Sequence, residues 1–187
     1  MREFFEKCSD IITIDLTDFD SSNVTNMRNI FSECIKLKEI KGITKLIINK
    51  VTDMSGMFQG CKELEYLDLS NFNTENATKM NHMFNKCSKL RKIDGINRFI
   101  TNKVTTMKSM FQLCQELEYL DLSSFNNENV KDTSWMFAGC EKLEYLNLND
   151  FSLNNKTTTD NMFMKLQKNI CKFITNNNDL LNIYNSS

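Results

Sequence analysis

Proline is absent from this chain and glycine is scarce, with five in 187 residues. Flexible linkers and disordered tails draw on both, so neither is expected. Charge of one sign is lacking too, since 23 Lys and Arg stand against 24 Asp and Glu. Such a balance creates no global field and argues against nucleic acid or an anionic membrane as partner. No apolar run approaches the roughly 20 residues of a membrane-spanning helix. Met1–Phe4 leads straight into the first repeat without the n-region or apolar h-region of a secretory signal. The expectation is either a chain made in the cytosol or a part of a longer exported one.

Catalytic and metal chemistry are also poorly supplied. His82 is the single histidine, and the seven cysteines include no C-x-x-C pair and no Cys–His cluster with zinc spacing. Without a nucleophile–base pair or a phosphate loop, no enzyme, cofactor or metal site is expected. His82 reads as a solvated surface residue.

What the chain has is a beat. Phe5, Phe31, Phe58, Phe84, Phe111 and Phe137 each stand three residues before a cysteine, at intervals that alternate between 26 and 27. Cys8, Cys34, Cys61, Cys87, Cys114 and Cys140 keep the same period. A fixed period in the twenties means one supersecondary unit stacked into a solenoid. Met27, Ile30, Phe31 and Cys34 follow i, i+3, i+4, i+7 spacing, which predicts a short helix in each coil. Thr25, Thr52, Thr78 and Thr105 stand where they would cap it. After each cysteine the period changes to two. Leu67 and Leu69 alternate with Tyr66, Asp68 and Ser70, which predicts a short strand buried on one face. The same pattern recurs at Leu120 and Leu122 and at Leu146 and Leu148. Such strands, about 4.8 Å apart, would stack into a sheet roughly 25–30 Å long.

Two coils depart from L-x-L and carry Ile40-Lys41-Gly42-Ile43 and Ile93-Asp94-Gly95-Ile96, each with one extra residue. The unit of duplication is therefore 53 residues, Cys34–Lys86 and then Cys87–Gly139. Gly42 and Gly95 are expected to permit a local bulge or twist. The beat fails after Phe163, where Leu166 takes the cysteine position. Met164–Leu181 reads as a helical cap. The expected architecture is an α/β repeat: a right-handed leucine-rich-repeat solenoid of six to seven coils over residues 1–165, each a short parallel strand plus a short helix, with a cap or tail over 166–187.

The string V-T-x-M-x-x-M-F-x-x-C-x-x-L-x-x-L-D-L-S-x-F stands unbroken from Val51 to Phe72, and looser copies cover residues 5–165. It resembles the BspA-like leucine-rich repeat family of bacterial and protist surface proteins. The resemblance implies a cell-surface or secreted binding protein, typically an adhesin for host matrix or neighbouring cells.

The candidate contact face is the outward side of the strands. Tyr66, Asp68, Asp94, Tyr119, Asp121 and Tyr145 alternate there with buried positions. Like charges stacked at strand spacing cost stability, so the row Asp68, Asp94, Asp121 calls for a reason. Tyrosines beside carboxylates combine rigid apolar area with hydrogen-bonding tips. Trp135, two residues before Phe137, is a second candidate, either as a partner anchor or packed under the cap. The cysteines read as buried, inert core thiols. Asn23, Asn76, Asn155 and Asn185 begin N-x-S/T triplets, two of which overlap the repeat's own V/A-T helix start and read as structural turns, not glycan sites. The leading expectation is a non-enzymatic protein-binding module of a surface adhesin or antigen. The alternative is an intracellular scaffold or effector that binds a protein through the same face.

Overall fold

Three-residue strands recur where the alternation predicted them. The computed structural model describes residues 2–154 and 156–187. Its strands are β1 (Thr13–Asp15), β2 (Glu39–Lys41), β3 (Tyr66–Asp68), β4 (Lys92–Asp94), β5 (Tyr119–Asp121), β6 (Tyr145–Asn147) and β7 (Lys172–Ile174). From β1 to β6 the central residue is buried and its neighbours point outward. Every pairing is parallel, with Tyr66 opposite Lys92 and Tyr119 opposite Tyr145. The chain is a parallel β-solenoid of about six turns, of leucine-rich-repeat type.

The helix expected in each coil is replaced by a run of tight turns. In Met54–Cys61, the N–H groups of Met57, Gln59 and Cys61 donate to the carbonyls of Met54, Gly56 and Phe58, three residues back. The alternate N–H groups, on Met54, Gly56, Phe58 and Gly60, donate to Lys79, Asn81, Met83 and Asn85 in the next coil. Gly56 and Gly60 have φ of 61° and 74°, left-handed values that a right-handed helix excludes. The equivalent positions are left-handed in other coils, at Asn29 and Glu33, His82 and Lys86, and Ser109 and Leu113. A left-handed residue every fourth position returns side chains to the core at the same i, i+3, i+4, i+7 positions as a helix. Periodicity therefore could not separate the two. The threonines do not cap. Thr52, Thr78 and Thr105 hydroxyls donate instead to the carbonyls of Thr25, Thr52 and Thr78, one coil back.

Inside, the phenylalanines form one column from Phe5 to Phe163, near-parallel rings 5.4–5.9 Å apart. Cys34, Cys61, Cys87, Cys114 and Cys140 are fully buried free thiols. Each S–H donates to the phenylalanine carbonyl of the preceding coil, at 3.0–3.2 Å. Burial pushes Cys140 up to about 12, so these thiols stay protonated and pack as small apolar groups.

The sheet is not continuous. Among the described residues, pairing joins β1 to β2, β3 to β4, β5 to β6 and β6 to β7, but not β2 to β3 or β4 to β5. The 53-residue duplication thus shows as strand pairs, shifted by one coil from the boundaries at Cys34 and Cys87. Gly42 and Gly95 account for the gaps. Both are left-handed, at φ 74° and 81°, and lead into 3-10 turns at Ile43–Lys45 and Ile96–Arg98. A Cβ on Gly42 would stand 2.6 Å from the Thr17 Cα, and one on Gly95 2.4 Å from the Ser70 Cα. Each of these coils hugs the one before it and opens from the one after.

At the C-terminal end, β7 extends the sheet within the region expected to be helical. Helix α1 (Asn178–Ser186) follows, with Asn177 Oδ1 accepting from the Asp179 and Leu180 N–H groups. Tyr184 meets Phe163 edge-on at 5.4 Å and stacks on Phe173, which ends the ring column. The helix starts later than predicted because Lys172–Ile174 finds a pairing partner in β6.

Candidate binding face

The strand face brings six of the seven candidate residues onto one surface, in two groups. In the first, Tyr66 Oη donates to Asp94 Oδ2 at 2.7 Å. Lys92 Nζ lies 2.9 Å from Asp94 Oδ1 and 5.9 Å from the centre of the Tyr66 ring. The hydrogen bond to Asp94 pushes the Tyr66 hydroxyl up to about 12, and the Asp94 carboxyl is lowered by Tyr66 and then by Lys92. In the second, Tyr119 stacks on Tyr145 with ring centres 4.4 Å apart, and Lys172 Nζ lies 5.9 Å from the Tyr145 ring centre. Tyr66 and Tyr119 remain 48% and 52% exposed.

The aspartate row has a local reason. Asp68 Oδ1 accepts from the Ser70 N–H at 3.0 Å, and Asp121 from Ser123 at 3.1 Å. Asp15 and Asn147 make the same bond to Thr17 and Asn149. These are Asx turns that close the strands, for which Asp and Asn are suited. Asp94, in register with Asp68, is compensated by Lys92 and Tyr66. Lys92 and Lys172 are the contributors that sequence reasoning passed over. Lys92 lay in the same outward column as the tyrosines, and that column was its signal.

Trp135 does not join this face. It sits half-buried on the turn side at a left-handed position (φ 64°), its backbone N–H donating to the Asp160 carbonyl. His82 occupies the equivalent position and is half-buried, not fully solvated as expected. Burial pulls its pKa down, helped by Lys108 and opposed by Asp132. Of the N-x-S/T asparagines, Asn76 bridges the Asn49 carbonyl and Lys103, and Asn23 accepts from Lys50. Asn155 lies outside the described residues. Among the described residues, no helix is long and apolar enough to cross a membrane.

Parallel coils, inward leucines and an outward strand face of varied side chains define a solenoid of leucine-rich-repeat type. Residues 1–95 and 68–177 match the family described as "Mycoplasma protein of unknown function, DUF285", and the chain belongs to that family. Among solved structures, the chain is similar to a leucine rich cell surface protein from Faecalibacterium prausnitzii A2-165, at 16% identity over 96% of this chain, with a TM-score of 0.31. It spans 64% of that protein's chain. No curated protein matches.

Proposed function

We propose that this solenoid is a non-enzymatic protein-binding module of a cell-surface adhesin or antigen, with the strand face as its contact surface. The observation that carries this reading is the pair of half-exposed tyrosines, Tyr66 and Tyr119, set among carboxylates on a rigid sheet. Rigid aromatics lose little entropy on binding and combine apolar area with a polar tip. The surface location follows the resemblance of the Val51–Phe72 motif to BspA-like repeats. Trp135 is a weaker candidate anchor, because its backbone is tied into the turn ladder.

A second reading, an intracellular scaffold using the same face, is favoured by the seven free cysteines, since thiols persist where reducing pools maintain them. Labelling intact source cells with a membrane-impermeant reagent separates the two locations. Labelled chain supports the surface reading, and protection alongside a cytosolic control supports the scaffold. The contact face is tested by selecting binders from a displayed random-peptide library. Binders should be lost when Tyr66, Tyr119 and Asp121 become Ala in a folded protein. Retention by that variant would overturn the strand face as the contact surface.

A further inference from the structure

The two breaks in the sheet open two clefts. One, of about 420 Å³, lies between β2 and β3, and the other, of about 440 Å³, between β4 and β5. Both are built from the same parts, 53 residues apart. Ile40 and Ile43 floor the first and Ile93 and Ile96 the second. Tyr66 and Tyr119 line them, each also engaged with the next strand through Asp94 or Tyr145. The carboxylates Glu65 and Asp68 line the first, and Glu118 and Asp121 the second. Solvent reaches these floors. Ile40 and Ile93 keep 7% and 6% exposure, against 4% and 3% for the matching Ile14 and Leu67 and none for Leu120 and Leu146.

Charge selects what fits. The first cleft sets Lys38 against Glu39, Glu63, Glu65 and Asp68, of which Glu63 is paired with Lys89 at 2.7 Å. The second sets Arg91 and Lys92 against Asp94, Glu118 and Asp121, with Lys92 held on Asp94 at 2.9 Å. Both are net negative, the first more strongly. An apolar floor, an aromatic wall and nearby carboxylates suit a long cationic side chain. Its methylenes lie on the isoleucines and the ring while its head reaches the carboxylates. An acidic side chain would be repelled there.

The clefts are two coils apart, roughly 10 Å at ordinary strand spacing. An extended peptide advances about 3.1 Å per residue in the polyproline conformation, which brings residue i+3 to that distance on the same side. We propose that the two clefts together bind an extended basic segment of a partner protein, taking two Arg or Lys side chains three residues apart, with the tighter grip between β2 and β3. This rests on the strand-face reading above and adds the chemical class of the partner.

The experiment is a fluorescence-anisotropy titration of the whole chain with a labelled Arg-Gly-Gly-Arg peptide and with its Glu-Gly-Gly-Glu counterpart, at low and at physiological salt. The arginine peptide should bind, more weakly as salt rises, and the glutamate peptide should not. Glu65→Gln with Asp68→Asn should weaken binding about tenfold. Glu118→Gln with Asp121→Asn should weaken it less, and all four together should abolish it. The amide replacements retain the acceptor oxygen of the Asx turns, and a thermal melt confirms folding. Failure of the arginine peptide to bind, or indifference to the fourfold variant, overturns the proposal. The library selection separates this failure from failure of the broader reading. Acidic or apolar binders that depend on Tyr66 and Tyr119 would sink the basic partner and leave the face standing, whereas the absence of any binder on the face in either assay would sink both.

Discussion

The turn side and the strand face of this solenoid are cut from the same coils, yet only the turn side is continuous. There, a parallel ladder runs unbroken through Asn26, Asp53, Lys79, Thr106, Asp132 and Thr158, and the phenylalanine column runs beneath the neighbouring turns. On the strand face the ladder stops twice, at the coils with an extra residue. The two sides divide the tasks. The turn side holds the coils at a fixed spacing by backbone bonds and stacked rings. The strand face tolerates gaps because the stacking beneath has already set the register, and it is there that exposed tyrosines and clefts collect.

Damage to the turn side should have the largest effect. Phe84, fully buried between Phe58 and Phe111, should cost about 3–5 kcal/mol when replaced by Ala, measured by chemical denaturation. A loss near zero would mean that the ring column does not carry the fold. Next comes Gly95→Ala, which forces a Cβ to within 2.4 Å of the Ser70 backbone at a left-handed residue. A cost of about 1–3 kcal/mol is expected, together with loosening of the β3–β4 pair, visible as faster amide exchange at Leu69 and Arg91, whose N–H groups bond across it. Unchanged exchange would show that Gly95 does not set the gap. Cys87→Ala, which removes a thiol bonded to the Phe58 carbonyl, should cost about 1 kcal/mol.

The smallest effects belong to the strand face. Replacing Tyr66 and Tyr119 with Ala should shift stability by no more than about 1 kcal/mol. A loss as large as that of Phe84 would erase the division between the two sides. pH probes the same surface more finely. Tyr66, raised from 10.0 to about 12 by its bond to Asp94, lends stability that is present below its ordinary value and is lost as pH rises through about 12. Asp94, held below 3.8 by Tyr66 and Lys92, lends stability present above that value and lost as pH falls through its lowered one. Both effects are small because the groups face water. Asp94→Asn should return the Tyr66 phenol toward 10.0 in an ultraviolet titration, and an unmoved titration would remove the bond from the account.

Much of this was legible because repetition converts sequence spacing into position. Residues 26 or 27 apart had to be neighbours, so spacing alone places the Phe and Cys columns, the inward leucines and the outward tyrosines. The turn run was not legible in the same way, since its inward positions match those of a helix. Its clue was Gly56 and Gly60 standing four apart, with Gly139 again at the second of those positions, a pattern that a helix avoids but left-handed turns favour. The clefts were half legible. The extra residues and Gly42 and Gly95 announced an irregularity, but not that it would open the sheet on one side only.

The period, the core columns and the face on which each strand residue stands follow from the order of residues alone, because stacking leaves a repeated apolar pattern a single place to be buried. Where backbone donors find acceptors is settled by the packed coils. Whether Phe58 bonds within its coil or to Met83, and whether β2 pairs with β1 or β3, depends on competition between neighbouring coils, which no single repeat encodes. The two clefts follow from that competition, because Gly42 and Gly95 permit closer approach to one neighbour than to the other.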